Sequence, residues 1–243
     1  MKKFELTTES ITFLGRTLFR IKALISFGNV KAGELGGYIE KEGNLSYEGN
    51  AWVFGNARVY GNAEVCGNAR VCGNAEVFGN AEVCGNAEVF GNAEVCGNAE
   101  VFGNAEVCGN AWVFGNARVY GNAEVCGNAR VCGNARVCGN AEVFGNAEVF
   151  GNAEVFGNAE VFGNAEVFGN ADIATISGFG SEYRTTTFFR TKNNEIAVKC
   201  GCFYGTLAEF REKVKETHGD NRYAKEYLMI ADLMEMHFRG EEE

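Results

Sequence analysis

Histidine is scarce in this chain of 243 residues: His218 and His237 are the only two, and nothing before residue 218 carries one. Most of the molecule therefore lacks the side chain that titrates nearest neutrality and most often serves as general base or metal ligand. Long apolar runs are missing too, and no stretch approaches the roughly 20 residues that cross a bilayer. Residues 1–10 are polar and mixed in charge, without the apolar core of a signal peptide. The expectation is a protein that stays in the cytoplasm and avoids the membrane. Basic residues are few, 22 Lys and Arg against 32 Asp and Glu, for a net charge of −10. Nucleic-acid affinity rests on Lys and Arg at phosphates, so direct nucleic-acid binding is not expected.

What the chain has in abundance is one repeat. Residues 49–174 read Gly-Asn-Ala-x-Val-y twenty-one times without a break, with Ile173 the one replacement of Val. Ala and Val lie two apart, so in an extended segment both point to one face. Gly and then Asn best tolerate the positive φ of a corner. Three strands and three corners would close a triangular coil of eighteen residues around a column of Ala and Val. Seven such coils, stacked at about 4.8 Å, make a rod roughly 34 Å long. Each Asn should stand above its counterpart eighteen residues on, as Asn56 above Asn74, which predicts ladders of side-chain amides.

The pattern resembles the hexapeptide repeat of bacterial acyltransferases and γ-class carbonic anhydrases. It is closer still to the GNARVYGNA-type, transferase-like repeat proteins of bacteria and their phages, whose string is spelled by residues 55–63. The resemblance implies a left-handed parallel β-helix, here over residues 43–176. Residues 1–42 are expected to form a β cap over the first coil, with residues 43–48 already in register. Residues 177–243 read as a small α+β module that also resembles the tail of the phage-associated proteins. Its expected parts are a hairpin over 183–199, a helix opened by the capping box Thr206 to Glu209, and a second helix capped by Asp220 or Asn221. The second helix carries an apolar stripe of Tyr227, Ile230, Ala231, Met234 and Phe238.

The acyltransferases commonly use a coil-borne His and the carbonic anhydrases bind zinc through three. The coils here contain none, so no catalytic residue, metal or cofactor is assigned. Cys200-Gly201-Cys202 lacks the paired spacing of a zinc site and reads as a hairpin end.

Folding the repeat at eighteen residues sorts the x positions onto three faces. One face carries Glu88, Glu106, Glu124, Glu142 and Glu160 in unbroken succession. Like charges at strand spacing destabilise a sheet, and protons, cations or a basic partner would relieve them, unless the side chains splay into solvent. Arg184, Arg190, Lys192 and Lys199 form a basic cluster on the predicted hairpin. It is either solvated strand charge or a contact for a small anionic ligand or a host protein. The y positions hold Phe, Tyr and Cys, either as an outward apolar stripe that would drive homo-oligomerisation or tucked between corners. Cys66 with Cys84, and Cys108 with Cys126, would stack within disulfide range, although a cytosolic location argues that they stay reduced.

Residues 49–75 recur identically as 109–135, an offset of sixty that is not a multiple of eighteen. Each copied residue therefore lands on a different face, as expected from repeat slippage rather than from a tuned binding face. The function expected is that of a non-catalytic structural or interaction protein, an acidic rod presenting a terminal module. One version is a phage factor that binds or sequesters a host component. The alternative is an acyltransferase acting at a subunit interface.

Overall fold

A computed structural model describes residues 2–239. Its body is a parallel β-helix of about seven turns, closed at one end by a β-hairpin and at the other by an α+β tail. Twenty strands, from Trp52–Val53 to Glu166–Val167, follow one per hexapeptide and sort into three parallel ladders. The register is eighteen residues throughout, so Glu88 lies opposite both Arg70 and Glu106, and Val89 opposite Val71 and Val107. Every repeat Ala and Val from Ala51 to Val167 is buried. At the corners Gly serves twice: Gly91 has φ 76°, and a Cβ there would stand 2.9 Å from the Gly109 carbonyl oxygen of the next coil. Outside it, Asn Nδ2 donates to the Asn Oδ1 eighteen residues on, in runs such as Asn50 to Asn68 at 3.0 Å and Asn140 to Asn158 at 3.0 Å. Asn56 keeps the backbone register, donating its N–H to Gly73 O at 3.1 Å, but among the described residues its side chain starts no amide bond to Asn74.

The first coil is closed by β1 (Phe4–Phe13) and β2 (Arg16–Ala23), joined through Leu14 and Gly15 at φ 48° and 75°. Strand β3 (Leu35–Ile39) pairs antiparallel with β2 and parallel with Arg58–Val59, which splices the hairpin into the solenoid. Gly37 lets it approach, since a Cβ there would sit 2.6 Å from Ala57 O. The polar stretch 1–10 supplies most of β1, in the expected cap, and its Phe4 stacks on Tyr47 and meets Trp52 edge to face. One expectation changes here. Residues 43–48 are out of register, because Leu45 lies opposite Val65, twenty residues away, and so takes a Val place.

The physical reason is the open end. A first coil leaves carbonyls without the N–H groups that inner coils receive from their neighbours. Asn44, fully buried, supplies two: its Nδ2 donates to Ala63 O at 2.8 Å and Gly61 O at 3.2 Å. Lys3, 2% exposed, donates from Nζ to Ala51 O at 3.0 Å and Gly49 O at 3.4 Å. Burial pushes the Lys3 ammonium down to about 8.

At the other end the last hexapeptide leaves the coil. A 3₁₀ turn, Asn170–Asp172, is held by the Asp172 carboxylate accepting from Phe168 N and Gly169 N. Strand Ile173–Ile176 then joins an antiparallel sheet with Thr186–Arg190, Ile196–Cys200 and Phe203–Thr206. Helix α1 (Leu207–His218) starts at the Thr206–Glu209 capping box, and α2 (Arg222–Arg239) starts with Ala224 N donating to Asn221 Oδ1 at 3.0 Å. The expected stripe on α2 is buried. Alternation splits the tail sheet between two cores: Phe189 and Ala197 join the Ala/Val column, whereas Phe188 and Val198 pack with the helices. No described helix is long and apolar enough to cross a membrane.

Candidate functional site

The outward residues of the coils, not the core, carry the candidate chemistry. On the acidic face, Glu88, Glu106, Glu124, Glu142 and Glu160 stand opposite one another in direct succession. The two ends are neutralised: Arg70 meets Glu88 at 2.9 Å, and Lys199 meets Glu160 at 3.0 Å. The middle is not. Burial first, then repulsion from Glu124 and Glu88, holds the Glu106 carboxyl above the usual range. Burial and the charges of Glu160 and Glu124 do the same to Glu142, with Lys199 opposing. This face can store protons or meet positive charge.

The basic residues do not gather into one free patch. Arg190 pairs with Asp172 at 3.0 Å and also donates to Asn194 Oδ1 and Phe238 O. Lys192 reaches Glu148 at 2.7 Å, and Lys199 lies over the Phe162 ring while holding Glu160. These three bind the tail to the last coils, helped by Lys192 N donating to Asn164 O at 3.2 Å and by the bridge between Ala165 and Thr191. Their partners are acids of the repeat, which sequence spacing within the tail could not disclose. Arg184 differs, since its carboxylate contact is Glu182 at 3.7 Å, and it lines a cavity of about 220 Å³ in the tail. Lys213, Phe210, Tyr227 and His218 share that cavity, and sequence reasoning did not group them. The signal available was the α1 stripe of Phe210, Val214 and Thr217, which faces the same way as Lys213.

The corner residues are mostly half-buried against the next coil, as in the stacked pairs Tyr60–Phe78 and Phe102–Tyr120 with centroids 5.0 and 4.9 Å apart. Phe156 and Phe168 protrude, at the end of the rod. Cys66–Cys84 and Cys108–Cys126 are disulfides across adjacent coils, with Cα separations of 4.8 and 4.6 Å. Stacking in register brings each pair to bonding distance, as their spacing of eighteen residues predicts. Burial pushes the free thiols of Cys72, Cys96 and Cys132 up. Among the described residues, no three His, Cys, Asp or Glu side chains cluster closely enough to hold a metal ion.

Fold and outer surface together define a β-helix repeat protein. In keeping with that class, residues 123–139 match a family model described as the YdcK beta solenoid repeat. Comparison with curated proteins finds no match.

Proposed function

We propose that the protein is a non-catalytic structural or interaction protein: a rigid, acidic, end-capped rod that serves as a length-adjustable spacer and does not depend on the detail of any one face. The observation that carries this reading is the copy of residues 49–75 at 109–135. Its inner Ala and Val residues are equally buried in both places, while its outer residues meet different neighbours on different faces. Repeat expansion that ignores the faces suits a spacer. In this reading the rod works in the cytoplasm, the host's if a phage encodes it, and holds a host protein through its ends. The unneutralised Glu106 and Glu142 keep it soluble and repel nucleic acid.

The test is to shorten the rod. Deleting residues 85–102 removes one whole coil and places Arg118 opposite Glu82 in place of Glu100. Deleting residues 85–90 removes one hexapeptide and turns the tail by one face relative to the cap. Both variants should fold, because each coil contacts only its neighbours. Proteins co-purifying from the host should be the same for the whole-coil variant as for the intact chain. Loss of every partner with folding preserved would replace the spacer by a length-specific surface, and saturable binding of an acyl-CoA would replace it by a transferase.

A further inference from the structure

We propose that the tail cavity is a binding site for a small anion with an aromatic body, of the aryl phosphate or aryl carboxylate class. The site goes beyond the spacer reading and does not depend on it, since it is built entirely from residues after the last coil.

The cavity measures about 220 Å³. An apolar cavity of about 150 Å³ accommodates benzene, so the space remaining beyond one aromatic ring suits a carboxylate or phosphate. The walls suit a ring as well. Phe203, Phe210, Tyr227 and His218 follow one another with centroid separations of 5.5, 5.7 and 5.7 Å. Phe210 and Tyr227 meet edge to face at 86°, an arrangement that a further ring can extend.

The polar groups suit an anion. Arg184 and Lys213 both line the cavity. The other three basic residues of the hairpin are committed to carboxylates of the repeat, but Arg184 has only a 3.7 Å contact to Glu182, with both side chains more than half exposed. Gly201 makes room for it: a Cβ at that residue would lie 2.5 Å from Arg184 Nη1. Lys213 pairs with Glu216 on the outside of α1, where a surface ion pair contributes little and can exchange for another anion. A planar guanidinium over a ring-lined cavity provides bidentate donors for a carboxylate or phosphate while the apolar body is buried. Glu182, also on the wall, is the internal anion that such a ligand would displace.

Phenyl phosphate, titrated into the ¹⁵N-labelled full chain, should give saturable shifts of the Ser181, Cys202, Val214 and Thr217 amides. It should also slow alkylation of the exposed Cys202 thiol. Arg184→Gln should weaken binding about tenfold, the loss of one charge-assisted hydrogen-bonding group. Val214→Trp should abolish binding by filling the cavity. Unchanged amides of Phe189, Ala197 and Phe238, which lie in the tail away from the cavity wall, would show that either variant keeps the tail folded. Inorganic phosphate should bind far more weakly; equal binding would overturn the aromatic component of the proposal. Absence of saturable shifts, or full affinity in Arg184→Gln, would overturn the site itself. The variant lacking residues 85–102 should bind phenyl phosphate normally, so the cavity and the spacer fail separately.

Discussion

Residues 49–75 and 109–135 have one sequence and two environments. Trp52 is fully buried beneath the cap, between Phe4 and Phe27, whereas Trp112 is 40% exposed with Arg130 over its ring. Arg58 pairs forward with Glu76 and lies 4.2 Å from the Phe13 ring centroid, while Arg118 pairs backward with Glu100. Tyr60 is buried and donates to Glu76; Tyr120 stacks on Phe102 at the surface. Cys66 bonds forward to Cys84 and Cys126 bonds backward to Cys108. The Ala and Val residues do not differ at all. An inner position thus has the same role wherever the hexapeptide falls, and an outer position takes its role from face and cap.

The comparison breaks if the two cores are not equivalent. Val59→Asp and Val119→Asp each bury an unpaired charge and should each cost about 4 kcal/mol or more in urea unfolding. Tolerance of one and not the other would end the equivalence. The outer pair should diverge instead. Trp52→Ala should cost about 3–5 kcal/mol and Trp112→Ala less than about 1 kcal/mol, measured the same way.

Lys3 sharpens the contrast, because it exists only where the cap covers Trp52. Its folded pKa of about 8 lies below its unfolded value, so between about pH 8 and 10.5 the unfolded chain binds more protons. Stability attributable to Lys3 therefore rises with pH across that window. The free energy of the intact protein, minus that of Lys3→Met, should climb by about 2–3 kcal/mol, and a flat difference would show that folding does not lower the Lys3 pKa. Subtraction removes the opposite trend from the buried tyrosines. The smallest effect concerns the arginines: Arg58→Gln should cost about 1–2 kcal/mol through its half-buried pair and ring contact, and Arg118→Gln about 0.3–0.5 kcal/mol. A double-mutant cycle with Glu76 and Glu100 checks both.

Much of the solenoid was legible from residues alone. The Ala/Val spacing, the sorting of x positions onto three faces and the Asn ladders all follow from a period that repeats locally. The buried stripe of α2 was legible for the same reason. Illegible were the two ends. Residues 43–48 open with Gly-Asn like a hexapeptide and residues 169–174 keep the repeat, but Leu45 slips by two residues and Asp172 turns the chain out of the coil, because each end must meet carbonyls and side chains from elsewhere. The basic hairpin shows the same gap: Arg190, Lys192 and Lys199 looked like one cluster in sequence, and their partners proved to be Asp172, Glu148 and Glu160.

By itself the sequence determined the coil. A six-residue period with two small apolar positions admits few ways to bury them, and every neighbour a coil needs is another coil of the same kind. Only the tertiary structure decided how the rod stops and which acids remain unneutralised. Lys3 reaching Ala51, Asn44 reaching Ala63, and Lys192 reaching Glu148 join segments of unrelated pattern. The tail cavity belongs with these, since Arg184 and Lys213 come together only when the sheet and α1 pack. Periodicity can specify contacts between like and like; contacts between unlike segments depend on how the whole chain folds back.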